Sequence, residues 1–504
     1  MTDTTDPAGA SDTYATQVRS RILHDVFIDP TDGVDSTTDE TNINTPRKTI
    51  PSTWVAGYRY NIICGCTITL TSQIDIDAAN VTLTSYGIGP RPILDGVNLS
   101  DIETIKGSAD NLSYIGLHVK SPYDGAASTL FKSGTTSKAV CIRPSIDGVA
   151  YTSNCSGLTV INCILEGQAD IGSDCTALGI VDGGSFPLLI HGNEIYSCSN
   201  GIFIKGDTDP TDTYNYVTNN YVHDFVGPLS SLTSSDGIAF GCINVGTVYF
   251  DFDNTLVIAG NTIHGYYQNA IDTTSARNVI IEYNDVGNLD QSYDFIGNGW
   301  TSSTAILCGS SSALMGGDVI VRNNYIHNTQ DVTDAIGVAI TNRHTYGYMT
   351  VTNNLVVDAK RGFYSAYQQD AGTLTITNNS FIDINSGFQC VRIENMDATV
   401  NYNVGTGADY GISGINASYT ISWDYNDWYG MGSGATGGTA TFSDGGHNIT
   451  SDPSLDTKNF PTAGAAAGMG CQPLTLSTVY TALNGNPHSI KDINWALYYA
   501  MQKS

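Results

Sequence analysis

The sequence is short of charge, and shortest of positive charge. Charged residues make up 14% of 504 positions, and 21 Lys and Arg stand against 49 Asp and Glu, for a formal net charge of −28. A nucleic-acid partner needs a basic face, so that class is excluded. No run of about 20 apolar residues is present to cross a bilayer, so no membrane insertion is expected. The first residues, MTDTTDPAGASDTYATQVRSRIL, lack the apolar stretch of a secretory signal. Cysteines number 11, an odd count, and most sit in strand-like patterns, such as Cys163 and Cys308. They read as free, mostly buried thilols of a chain folded in a reducing cytoplasm, since oxidised scaffolds of this kind are short. Cys64 and Cys66 (CGC) read as alternation inside a strand rather than a metal clip. There is no nucleotide-binding glycine loop and no serine elbow, and neither cofactor nor metal is expected.

Ser, Thr, Asn and Gly are plentiful instead, and 41% of residues are hydrophobic, which excludes disorder. The stretch VIVRNNYIHN (Val319–Asn328) has relatives throughout: LTVINCILEG from Leu158, TVTNNLVVDA from Thr350, TITNNSFIDI from Thr375. The second asparagine serves as a marker at Asn162, Asn193, Asn220, Asn261, Asn284, Asn324, Asn354, Asn379, Asn403 and Asn426. The spacings are 31, 27, 41, 23, 40, 30, 25, 24 and 23 residues, a short period with insertions at particular turns. Apolar residues stand three before the marker (Thr159 being the exception) and two after it, as at Val321 and Ile326. Alternation in segments rich in Val, Ile and Thr means strands, not helices. A second strand per turn follows, opened by Gly or Ala, as in GIFIKG at Gly201 and AIGVAI at Ala335. Such a chain stacks strand on strand at about 4.8 Å per turn. Asparagine at one corner tolerates a left-handed backbone, and its amide can bond the one above and the one below.

This pattern resembles the right-handed parallel β-helix proteins over roughly residues 26–470. VFIDPTDGVDSTTDETNINTPRKTI (Val26–Ile50) and LTSYGIGPRPILDG (Leu83–Gly96) are similar to the first turns of polysaccharide-active members, and DPSLDTKNFPTAGAAAGMG (Asp452–Gly470) to a closing segment. The resemblance implies an all-β, right-handed, single-stranded parallel β-helix, flanked by an attachment segment at 1–25 and a cap or oligomerisation segment at 471–504. Short terminal helices are expected in both flanks: Tyr14, Val18 and Ile22 recur every four residues, and Ile490, Ile493, Leu497 and Met501 line one face. The family spans lyases, hydrolases, tailspikes and adhesins, so it leaves activity open. A phage tailspike that binds a cell-surface polysaccharide, and in one version depolymerises it, is the leading expectation. It is a homotrimer on a virion tail, anchored through residues 1–25 to a tail or baseplate protein. An extracellular bacterial lyase or hydrolase and a non-enzymatic spike or adhesin are the alternatives.

Two features of the repeat locate surfaces. Four residues before each marker stand Leu158, Leu189, Tyr216, Val257, Ile280 and Ile320, then Thr350, Thr375, Thr399 and Ser422. These should point outward, so the apolar part predicts a covered face. The 23-residue turn from Asn261 to Asn284 lies between turns of 41 and 40, which predicts a valley with two loop walls. One wall offers Tyr249, Asp251, Phe252 and Asp253, the other Tyr293, Asp294 and Trp300, and the floor His264, Tyr266, Tyr267 and Asp272. Aromatic faces stack on sugars, and glycoside hydrolysis uses two carboxyls. Asp272, Asp294 and Asp251 are therefore the catalytic candidates, and Tyr249, Phe252, Asp253, Tyr266, Tyr267, Tyr293 and Trp300 the substrate-binding ones. A lyase fits less well, because Lys205, Lys360, Arg361 and Arg392 read as scattered. His223, His264 and His327 share one coil position, but Gly287 interrupts them, and they read as surface histidines of the repeat.

Overall fold

Alternating Val, Ile and Thr favour pleated strands, and short strands need neighbours on both edges to satisfy their backbone groups. The computed structural model describes residues 24–35, 41–99, 103–122, 137–142, 156–167, 175–180, 185–198, 200–204, 214–225, 241–245, 255–266, 269–273, 278–289, 304–308, 318–329, 337–342, 348–365, 373–461 and 466–472. There the strands form three sheets of 15, 13 and 13 strands, each pairing with the equivalent strand one turn away. One turn runs through Val319–Arg322 in the first sheet, Tyr325–His327 in the second and Val338–Asn342 in the third. All three strands pair in parallel with the turn below. The fold is a right-handed parallel β-helix. The expected terminal helices lie outside the described residues.

The expected two strands per turn become three, for a reason visible in the spacing. Apolar positions three before and two after the marker are five residues apart. An odd step cannot place both on one face of a single strand. The chain resolves this by turning at the corner, so the two positions belong to different sheets and both point inward: Val321 and Ile326 are fully buried. Cys64 and Cys66 likewise flank a corner, with Gly65 at φ 82° between the strands Tyr58–Ile63 and Thr67–Thr69.

The two asparagines of the corner divide the labour. The first adopts the left-handed conformation, with φ of 56° at Asn323, 54° at Asn353 and 55° at Asn378. The second makes the ladder. Asn324 donates its backbone N–H (3.0 Å) and its Nδ2 (2.9 Å) to Asn354 Oδ1, and Nδ2 also reaches the Ile281 carbonyl at 3.0 Å. Its own Oδ1 accepts the same pair of bonds from Asn284. Each side chain thus spends its whole donor and acceptor capacity in a buried site. The file runs from Asn193 to Asn426 and continues to Asn448. At its lower end the marker is misplaced by one: Cys163, not Asn162, meets Asn193 Oδ1, while Asn162 takes the left-handed place at φ 52°. By the same shift Val160, not Thr159, is the inward residue, paired with Ile190.

The outward column of the first sheet accordingly begins at Thr159 and passes through Leu189, Tyr216, Val257, Ile280 and Ile320 to Thr350. Val257 is buried and Ile280 and Ile320 are half-buried. After the last full turn the chain returns along the outside of the coil. Phe460, Ala466, Met469 and Cys471 pack on Tyr283, Leu355, Ile382 and Val404. Cys471 N–H donates to Ser380 Oγ (2.9 Å) and Gln472 N–H to Asn353 Oδ1 (2.8 Å).

Candidate functional site: the outer face of the second sheet

Each strand of the second sheet is three residues long, and from Glu194–Tyr196 upward each ends at a second left-handed corner, such as Asp224 at φ 50° or Asn288 at φ 56°. The middle residue points into the core, and its two neighbours point out. The sheet therefore displays two parallel columns of side chains, one pair per rung. On the rungs from His118 to His327 these columns hold carboxylates, imidazoles and phenols, with Lys120, Ile164, Thr262 and Gly287 among them. Above them they hold Leu355, Ile382 and Val404, the residues that the returning segment covers.

The lower end is organised around Glu166. Its carboxylate meets His118 Nε2 at 2.8 Å and Lys120 Nζ at 3.2 Å, and Tyr196 donates its hydroxyl at 3.1 Å. Burial and the Glu166 charge push the Tyr196 hydroxyl up to about 12, so it stays a donor. On the next rung Tyr221 stacks on His223 at 4.1 Å between centroids, and Tyr196 stacks on the same ring at 5.3 Å. Tyr221 is exposed, leaving one ring face to solvent. Higher still, Asp285 meets His327 Nε2 at 2.9 Å and His264 Nε2 at 3.6 Å, while Tyr325 stacks on His327 at 4.5 Å. Burial alone would raise Asp285; the imidazoles of His264 and His327 that face it outweigh this and hold the carboxyl at about 2. His264 and His327, two rungs apart along the backbone, are thereby brought to one carboxylate.

This face was legible in part. The histidine position was visible in the repeat, but Glu166, Tyr196, Tyr221, Asp285 and Tyr325 were not singled out. The signal was the residue types one and three places after each marker, which vary where the rest of the repeat is constant.

The expected valley fares differently. Of its candidates, Tyr249, Asp251, Phe252, Asp253, Tyr267, Tyr293, Asp294 and Trp300 lie outside the described residues. Asp272 sits in the strand Asn269–Thr273 of the third sheet, paired beside Leu307. It is fully buried rather than on an open floor, and Asn269 Nδ2 donates to its Oδ2 at 2.8 Å. Tyr266 is also buried, as part of the hydrophobic core, so it presents no ring face to a sugar.

Of the basic residues that read as scattered, Lys205 lies outside the described residues, and the other three lie together. Arg361 and Arg392 lie on adjacent rungs of the third sheet, 5.0 and 5.5 Å from the Tyr364 ring centroid. Lys360 Nζ stands 4.6 Å from the centre of Phe388. Burial and the Arg392 charge press Arg361 down to about 10, and Glu394 bonds Arg392 at 2.5 Å.

With fold and face defined, the chain is a parallel β-helix with a polar, aromatic strip along one sheet. Solved structures similar to it are the GH136 lacto-N-biosidase from Eubacterium ramulus (TM-score 0.43, 10% identity, covering 87% of this chain and 69% of that one), pectate lyase Pel9A (0.39, 12%, 88% and 83%), and the DFA-IIIase from Arthrobacter chlorophenolicus A6 without its lid (0.30, 13%, 76% and 94%). No protein-family model and no curated protein matches the chain. Overlaps this loose do not choose an activity, and the reading below rests on the strip.

Proposed function

We propose that this chain binds a cell-surface polysaccharide along the outer face of its second sheet. The observation that carries the reading is the succession of stacked aromatic rings and held carboxylates from His118 to His327. Phenol and imidazole faces suit sugar rings, and anchored carboxylates accept bonds from sugar hydroxyls. A rung spacing of about 4.8 Å presents these groups in series, as an extended polymer requires. The tailspike setting, with a homotrimer on a virion tail and anchoring through residues 1–25, belongs to this proposal. The half-buried apolar column through Ile280 and Ile320 supports a covering neighbour, and the free thiols Cys64, Cys66, Cys163, Cys308, Cys390 and Cys471 suit folding in a reducing cell.

Cleavage is the further step. A glycosidase needs one carboxyl that keeps its proton, whereas on the strip Asp285 is held ionised. The described carboxyls that burial pushes up, Asp358 and Asp427, lie elsewhere or are wholly enclosed. Hydrolysis would thus draw on Asp251 or Asp294, which lie outside the described residues, or on Asp272. One observation favours a second reading: paired Arg361 and Arg392 are the neutralising groups that a lyase acting on an acidic sugar would use.

Affinity electrophoresis against a panel of neutral and acidic bacterial surface polysaccharides tests the proposal. Retardation by at least one polymer, lost in Tyr221→Ala and Glu166→Gln but kept in Asp272→Asn, is the expected result. Retardation by none, or retardation that both strip variants leave unchanged, overturns it. Shortened products carrying an ultraviolet-absorbing double bond mean a lyase, and shortened products without it a hydrolase. Orders-of-magnitude loss of turnover in Asp272→Asn would return the chemistry to the valley.

A further inference from the structure

The second column of the strip reads His223, His264, Gly287, His327 on successive rungs. The glycine is the informative member. A Cβ built on Gly287 would lie 2.3 Å from His327 Cε1 and 2.4 Å from its Nε2. The ring of His327 therefore occupies the space that a side chain at 287 would need, leaning back across a rung toward Asp285. His264 approaches the same carboxylate from the rung below, and the two imidazoles meet edge to face with centroids 5.7 Å apart. One ligand atom from each of His264, Asp285 and His327 lies within 4.8 Å of the other two. His264 Nε2 is shielded from solvent and has no hydrogen-bond partner, because 3.6 Å to Asp285 is too long for one.

We propose that His264, Asp285 and His327 form a site for a divalent transition-metal ion of the Zn²⁺ class. Two imidazole nitrogens and one carboxylate oxygen are the protein ligands, and a water or a sugar hydroxyl takes the fourth position. Bonds of about 2.0–2.1 Å in a tetrahedral site set ligand atoms a little over about 3 Å apart. The 2.9 and 3.6 Å separations from Asp285 bracket that distance. Drawing the two imidazoles together on a bound ion would satisfy the idle His264 nitrogen and keep Asp285 as the third ligand. Calcium and magnesium favour all-oxygen ligand sets, so a site with two imidazoles points away from them. His223 Nε2 is likewise shielded and unbonded, 3.5 Å from Glu194, but its Nδ1 is taken by Asp224, and among the described residues only His264, Asp285 and His327 bring three ligand atoms together.

The test uses the full-length, tag-free protein, freed of metal by chelation and titrated without saccharide, so its outcome is independent of polysaccharide binding. Calorimetry with ZnCl₂ should show one equivalent per chain, and CoCl₂ should give the visible absorption of a four-coordinate ion. Asp285→Asn and His327→Gln should abolish the stoichiometric step, and His223→Gln should keep it. Gly287→Ala, which leaves all three ligands in the chain, should also lose it by displacing the His327 ring. No stoichiometric uptake by the native chain overturns the proposal and leaves a His327–Asp285 hydrogen bond with His264 beside it. Uptake that survives in both Asp285→Asn and His264→Gln overturns it equally, by placing the ion elsewhere.

Discussion

The outer face of the second sheet changes character midway. Above His327 the apolar Leu355, Ile382 and Val404 lie beneath the chain's own returning segment. Below that point Tyr, His, Glu and Asp predominate, and they bond and stack on one another. From Asn193 upward, the backbone and the asparagine file are the same behind both halves. A repeat of this kind separates two kinds of residue: those that build the coil recur, and those that give a face its chemistry are where the repeat varies.

The largest expected effect lies behind the comparison rather than on it. Asn324→Ala, under the polar half, and Asn379→Ala, under the apolar half, each remove several buried hydrogen bonds and strand their partners. Each should cost about 3–5 kcal/mol, and chemical denaturation should find the two within about 1 kcal/mol of each other. A large inequality would mean that the file is not uniform.

Phe460→Ala comes next and should break the halves apart. The ring is buried against the upper half, so its loss should cost about 3 kcal/mol or more. The signals of the lower face, including polysaccharide retardation, should not move. If retardation falls in step with stability, the halves are one unit.

Asp427→Asn should act in the opposite direction. Asp427 stands at the top of the same sheet, fully buried, with both carboxylate oxygens unbonded. Burial, and then the Asp452 charge, push it from 3.8 up to about 6. A carboxyl raised on folding contributes stability that is complete below its unfolded value and is lost as pH rises through the folded one. The wild type should therefore weaken from about pH 4 to about pH 6. The asparagine variant should gain about 1–3 kcal/mol at neutral pH and nothing near pH 4. Melting curves at the two pH values check this, and an equal gain at both would refute it.

Glu166→Gln should have the smallest effect on stability. The group is partly exposed, so unlinking His118, Lys120 and Tyr196 should cost about 1 kcal/mol or less. Its signature is spectroscopic: with the neighbouring charge gone, the Tyr196 hydroxyl should titrate below its present value of about 12. An unchanged phenol titration would show that burial and Glu194 set it without Glu166.

The sequence determined the coil. A period read from asparagines, with Val and Ile at fixed offsets, suffices because a β-helix satisfies each turn only through its neighbours, so local pattern and global fold coincide. It also showed the histidine column, and the odd five-residue step held the third sheet in plain view. The tertiary structure decided the rest. Register at the first turns shifted by one, because Cys163 rather than Asn162 faces Asn193. Asp272 and Tyr266, read as a valley floor, proved buried, since alternation predicts which way a side chain points but not what lies over it. The meeting of His264, Asp285 and His327 depends on side-chain reach across rungs 23 and 40 residues apart in the chain. Side-chain tilt is set by the space that Gly287 leaves, and a one-dimensional pattern does not contain that space.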